Sequence, residues 1–345
     1  MKQLFSILTT ASLLFLAACG GGSSSGSGEE NGEGSQDSGG SEESYTLQIG
    51  IVVSENDPMY EGLEQFKSNV EEKTDGNLTV ELFPNSSLGD TPEIQEQAIS
   101  GANVGTLADA AIMSDYKQEI GILQGPYLFE NYEQIQKVTN SDLFAGWKED
   151  LASENNLQIL SFNWFQGSRH IISNNEIRTP EDLNGQNLRT IGADIFTETI
   201  EAMGANATGL DWAEVYSGIQ QGVIDGAEAQ HSATHGASLY EVADYYSKTN
   251  HIQLITGLVV GADWFSSLPE EYQNIVNEEA KAAGQYASET VMDSSSEYES
   301  MMEDEGMTII EPDTAPFKEA TKGVYEEFEG YPELRDQITE IIENE

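Results

Sequence analysis

The apolar positions of this chain change period as it runs, and each change predicts an element. Residues 46–53 (TLQIGIVV) make a short apolar run that reads as a buried strand. Leu63, Phe66 and Val70 then recur at three- and four-residue intervals, which predicts an amphipathic helix over 59–74. Gly76 and Asn77 make a turn, and residues 78–83 alternate as a strand. Thr91 followed by Pro92 predicts a helix capped by Thr91 and ended by Gly101. A strand over 104–108, a helical stretch over 132–155 broken near 139–141, and a strand over 157–162 complete a first strand–helix alternation.

A second unit has the same rhythm. A strand is predicted over 168–173, then a short helix opened by Thr179-Pro180-Glu181-Asp182 and closed by Gly185. A strand over 187–190 and a helix over 196–203 come next. Asp211 and Glu214 have capping-box spacing for a further helix that Gly222 terminates. A strand over 251–260 returns the chain to the first unit. A very long helical stretch starts at Leu268-Pro269-Glu270 and runs to about residue 304. A strand over 307–310 and helices over 317–328 and 333–343 end the chain. The alternation predicts an α/β class with a mostly parallel sheet. Two such units predict two lobes joined by hinge strands, with a ligand cleft between them. No solenoid repeat is present.

The first eighteen residues, MKQLFSILTTASLLFLAA, obey neither rhythm. One cation, Lys2, precedes a short apolar core and two small residues, the layout of a secretory signal (1–18). Leu16-Ala17-Ala18-Cys19 resembles the bacterial lipobox, which implies that Cys19, the one cysteine of the chain, carries a lipid anchor. An ordinary cleaved signal with an incidental thiol is the alternative. Residues 20–44 hold no apolar side chain, so they cannot offset their chain entropy by burial. Residues 19–44 are expected to be a lipid-anchored tether, with a span of roughly 25–30 Å.

The formal charge of the 345-residue chain is −47. Without signal and tether, 55 acidic residues still face 13 basic ones. That balance argues against nucleic acid, whose phosphates demand cations. It suits a solvated acidic surface in a salt-rich, halophilic habitat. Against so much acid the four arginines (Arg169, Arg178, Arg189 and Arg335) become informative.

The order of several short motifs resembles one family. These are Ser87-Leu88-Gly89-Asp90, Gly167-Ser168-Arg169, Thr179 to Gly185, Asn187-Leu188-Arg189-Thr190, Met203 to Gln230 and Thr249-Asn250-His251. Together they resemble the solute-binding proteins of TRAP (tripartite ATP-independent periplasmic) transporters, of the dicarboxylate-binding (DctP) type. The resemblance runs from about residue 47 to 328. It implies a two-lobe, type II periplasmic-binding-protein-like fold with a long helix spanning both lobes. The expected lobes are 45–166 plus 255–294, and 167–254 plus 295–345. It implies a small organic acid, a dicarboxylate or a sugar or hydroxy acid, held in the cleft by Arg189, with Arg169 as a second cation. A guanidinium matches a carboxylate with two parallel hydrogen bonds. Trp212, Gln230, Glu228 and Asp109 fall where the family places other ligand contacts. Ala229 stands where Asn is commoner, and Thr190-Ile191-Gly192 departs from the commoner run after the arginine.

The resemblance implies a receptor, not an enzyme. Such a receptor needs no cofactor and is a monomer. It is held at the extracytoplasmic face of the cell membrane and delivers its acid to TRAP permease membrane subunits. His231 and His235 are spaced to share a helix face, which leaves open a metal or a packing role. An ATP-driven (ABC-type) importer's binding protein and a lipid-tethered extracellular hydrolase are the competing readings. Within residues 45–345 the hydrolase finds neither a Gly-x-Ser-x-Gly turn nor a spare cysteine.

Overall fold

The structure, a computed structural model, describes residues 44–344. The signal, Cys19 and nearly all of the tether lie outside the described residues. Among the described residues nine strands build one sheet: β1 (Tyr45–Gly50), β2 (Leu78–Phe83), β3 (Val104–Asp109), β4 (Leu157–Ser173), β5 (Asn187–Thr190), β6 (Asn206–Gly209), β7 (Gly226–Ala229), β8 (Tyr245–Gly261) and β9 (Thr308–Ile310). Their order is β2-β1-β3-β8-β4-β7-β5-β6, with β9 paired to β8.

The sheet is mixed rather than mostly parallel, and the connectivity explains why. Within the first lobe β1 pairs in parallel with β2 and β3, and within the second β5 pairs in parallel with β6 and β7. The chain crosses from first lobe to second along β4 and returns along β8. Those two 17-residue strands therefore run antiparallel to each other; β8 is also antiparallel to β3, and β4 to β7. At about 3.3 Å per residue each is long enough to serve both lobes. β4 is continuous where two strands were expected, because its pairing with β8 shifts register at four places instead of stopping. Such bulges bend a strand without ending it. Gly167, at φ +103, sits in one of these shifts.

Caps decide several helix starts. The helix Thr91–Ile99 is capped by Asp90, not Thr91, in a capping box with Glu93. The short helix expected to open at Thr179 is a 3-10 turn, Pro180–Leu183, on which Thr179 and Asp182 form a capping box. Asp211 makes no side-chain cap bond, and the segment it opens is a 3-10 turn, Trp212–Glu214, running into the helix Val215–Gln220. The stretch 132–155 is two helices, Tyr132–Thr139 and Asp142–Asn155, the second capped by Ser141.

The 35-residue helix Glu270–Asp304 ties the lobes together. At 1.5 Å per residue it is about 50 Å long. Its middle carries small buried residues, with Ala283 and Ala287 against Gly62 of the first-lobe helix Pro58–Lys73 and Gly284 against Asn163 and Trp164 of β4. A Cβ at Gly62 would lie 2.8 Å from that of Ala287, so only glycine allows this approach. Its far end buries Met302 among Leu239, Tyr246 and Ala227 of the second lobe. Among the described residues no helix is long and apolar enough to cross a membrane.

Candidate functional site

The carboxyl ends of the parallel strands of both lobes converge on one cavity of about 350 Å³, as expected for open α/β sheets. Asp109 ends β3, and Arg189 lies one residue before the end of β5. Arg169 comes from the second-lobe part of β4, and Gln230 lies just beyond β7. Asp109, Arg169, Arg189, Trp212 and Gln230 all line the cavity. Glu228, expected as a ligand contact, does not line it; this carboxylate lies beneath Arg169 and is engaged by it.

The two arginines are held in different ways. Arg169, 3 % exposed, forks onto Glu228: its Nε donates to Oε2, and its Nη2 donates to Oε1 at 2.7 Å and to the Glu228 carbonyl at 2.7 Å. Thr190 Oγ1 donates to the same carboxylate at 2.8 Å, and His251 Nε2 lies 3.6 Å from it. Burial alone would raise the Glu228 carboxyl, but Arg169 and His251 overcome it and hold it at about 2. Arg169 is thus neutralised where it stands.

Arg189, 5 % exposed, donates from Nε to the Leu210 carbonyl at 2.7 Å and lies 5.2 Å above the Trp212 ring. Among the described residues nothing accepts a hydrogen bond from its two terminal amino groups. Burial pulls it down to about 10, which leaves it fully charged at neutral pH. Gly192 and Gly209 line the cavity beside it, and a Cβ on Gly209 would come 3.2 Å from the Gly192 Cα.

An amide relay crosses the floor of the cavity. Arg169 Nη1 donates to Gln230 Oε1 at 3.3 Å, and Gln230 Nε2 to Gln166 Oε1 at 2.9 Å. Gln166 Nε2 donates to Thr256 Oγ1 at 3.2 Å, which donates to the Trp164 carbonyl at 3.0 Å. Gln166 and Thr256 line the cavity from β4 and β8, and the sequence pattern does not single them out. The one signal is a polar residue after the apolar pair in Trp164-Phe165-Gln166. Asp90 and Asp211 also line it. Asp109 Oδ1 accepts from the amides of Ala111 and Ile112, at 2.8 and 3.0 Å, and burial pushes its carboxyl up to about 6.

His231 faces the long helix, with Nε2 2.8 Å from Glu299 Oε1, and packs on His170 and Tyr246. His235 packs on Tyr240 and Tyr298. Among the described residues no group of three or more His, Cys, Asp or Glu side chains is placed to hold a metal.

Comparison with known proteins places this geometry. Residues 49–330 match the family model described as bacterial extracellular solute-binding protein, family 7. The fold is similar to a TRAP periplasmic solute-binding protein from Escherichia fergusonii, solved in an open state without ligand. Identity is 40 % and the TM-score 0.76, covering 86 % of this chain and 100 % of that one. It is similar to one from Ochrobacterium anthropi with bound L-fuconate, at 33 % identity and TM-score 0.84, covering 87 % and 99 %. A third, from Roseobacter denitrificans with bound L-galactonate, is 26 % identical with TM-score 0.81, covering 87 % and 99 %.

Proposed function

The chain belongs to bacterial extracellular solute-binding protein family 7, and from that premise we propose that it captures a monocarboxylic sugar acid, with Arg189 as the carboxylate clamp. It is an extracytoplasmic solute-binding receptor of the TRAP type, which works with membrane permease subunits, and it is not an enzyme. The observation that carries the finer reading is the buried, charged Arg189 whose terminal amino groups have no acceptor among the described residues. A buried charge without a partner is costly, and a ligand carboxylate supplies the missing anion in a bidentate geometry.

The rest of the cavity selects against a second carboxylate. Arg169 is already paired, and Asp90, Asp109 and Asp211 would repel another anion. Those carboxylates, with Gln166, Gln230 and Thr256, instead offer acceptors and donors for sugar hydroxyls. This favours hydroxy acids of the kind bound by the two liganded relatives over a C4-dicarboxylate. Ligand bridging the lobes then stabilises the closed arrangement. On this reading Cys19 carries the lipid anchor, the tether spaces a monomeric receptor from the membrane, and the acidic surface suits high salt.

A thermal-shift screen in high salt tests it. L-Fuconate or L-galactonate at 100 times its dissociation constant adds about 2.7 kcal/mol and raises the melting temperature. A shift with succinate and none with any sugar acid contradicts the proposal.

A further inference from the structure

Past Trp212 the cleft continues. A second cavity of about 240 Å³ is lined by Ser54, Asp57, Asn85, Ser86, Tyr216 and Gly236, again from both lobes. Val52, Val53, Trp212 and Ala233 line both cavities, so the indole stands at the partition between two chambers of one cleft.

The second chamber contains an unmet hydrogen-bonding group. Asp57 is 2 % exposed. Its Oδ1 accepts from the Met59 amide at 2.9 Å and so caps the helix Pro58–Lys73. Its Oδ2 is buried and receives no well-formed hydrogen bond, the neighbouring Ser232 hydroxyl being the side-chain donor beside this carboxyl. Buried polar atoms are nearly always paired, and an exception calls for an explanation. Burial pushes this carboxyl up to about 6, so the site favours an arriving donor. Asn85 and Ser86 add polar lining on a tight loop, held at φ 56 and 54 by amide bonds to the Val53 and Ile51 carbonyls at 2.9 and 3.0 Å. The chamber is far larger than one bridging water requires, which is about 10–15 Å³.

We propose that this chamber is a subsite for the far end of a longer acid. The carboxylate sits at Arg189, and a hydroxyl-rich extension, such as a second sugar ring, passes Trp212 and donates to Asp57. The substrate class is then an aldobionic acid, a sugar acid bearing a glycosidic sugar. The inference rests on the acid-receptor reading above and narrows its substrate.

Titration calorimetry with lactobionate, maltobionate and L-galactonate tests it. Two variants probe the chamber away from Arg189. Asp57→Asn keeps an oxygen to cap the helix but replaces the charged acceptor. Ala237 also lines the chamber, and Ala237→Phe fills it with a ring. A lactobionate or maltobionate complex weakened about tenfold or more by Asp57→Asn, and lost in Ala237→Phe, supports the subsite. L-Galactonate affinity should stay near wild type in both, which shows that the fold and the Arg189 chamber are kept. L-Galactonate binding without either disaccharide acid overturns the subsite and leaves the receptor reading standing. So does disaccharide-acid binding that neither variant changes. No heat with any of the three acids overturns both.

Discussion

Arg169 and Arg189 line the same cavity and are almost equally buried, yet their surroundings are opposite in kind. Around Arg169 the protein supplies everything: a forked carboxylate, a carbonyl, an amide, with Thr190 and His251 completing the Glu228 side. Around Arg189 it supplies one carbonyl and an aromatic face, with the carboxylates of Glu228, Asp90 and Asp211 acting only through space. The first arrangement is a closed ion pair that shapes the floor of the cleft. The second leaves two terminal amino groups without an acceptor among the described residues, which is the opening the proposed ligand carboxylate would fill. The difference teaches that burial and charge alone do not distinguish the two arginines; what the protein has left without an acceptor does, and that is why the proposed clamp is Arg189.

The largest effect should come from breaking the closed pair. Glu228→Ala strands a buried guanidinium and should cost about 3–5 kcal/mol of stability, read from the urea midpoint. A cost below about 1 kcal/mol would mean that Arg169 is solvated from the cavity and needs no partner. Arg189→Ala should do the reverse. Stability should hold or rise, because an unpaired buried charge is removed, while acid affinity falls by about 2–5 kcal/mol in a calorimetric titration. Arg189→Lys should recover only part of that, since an ammonium cannot make the bidentate contact. Gln230→Ala breaks the relay between Arg169 and Gln166 and should weaken binding by about 1 kcal/mol without loss of fold.

The last effect is that of pH. The Glu228 carboxyl is held at about 2 in the fold, below its ordinary value of 4.5. A carboxylate depressed on folding contributes stability that is whole above the ordinary value and is lost as pH falls below it. Melting temperature should therefore drop between about pH 5 and 2 more steeply in the wild type than in Glu228→Gln. Parallel slopes would show that other groups dominate the acid limb.

Much of the frame is legible in the pattern of apolar residues. The strand 78–83 and the long helix lie at or close to their expected limits, since strong periodicity fixes element type. β6 (Asn206–Gly209) and β7 (Gly226–Ala229) escape it, because NATG and GAEA have little strand propensity and are held by their neighbours in the sheet. Asp90 in place of Thr91 as a cap shows the same limit, for either residue type can cap and only backbone geometry chooses. In the site, the arginines stand out against an acid-rich background. Glu228 reads as a ligand contact because its neighbourhood in sequence is right. Its side chain points at Arg169 instead, which spacing along the chain does not reveal. Gln166 and Thr256 sit on bulged hinge strands, where register shifts decide which side chains face the cleft.

The most direct test of Arg189 as the carboxylate clamp is a calorimetric titration of L-galactonate and L-fuconate into wild type and Arg189→Ala, with melting curves recorded on both proteins. Measurable binding to the wild type is expected, with none to Arg189→Ala at the same concentrations and a variant at least as stable as its parent. Equal affinity in the two proteins would contradict the clamp, and would move the carboxylate away from Arg189.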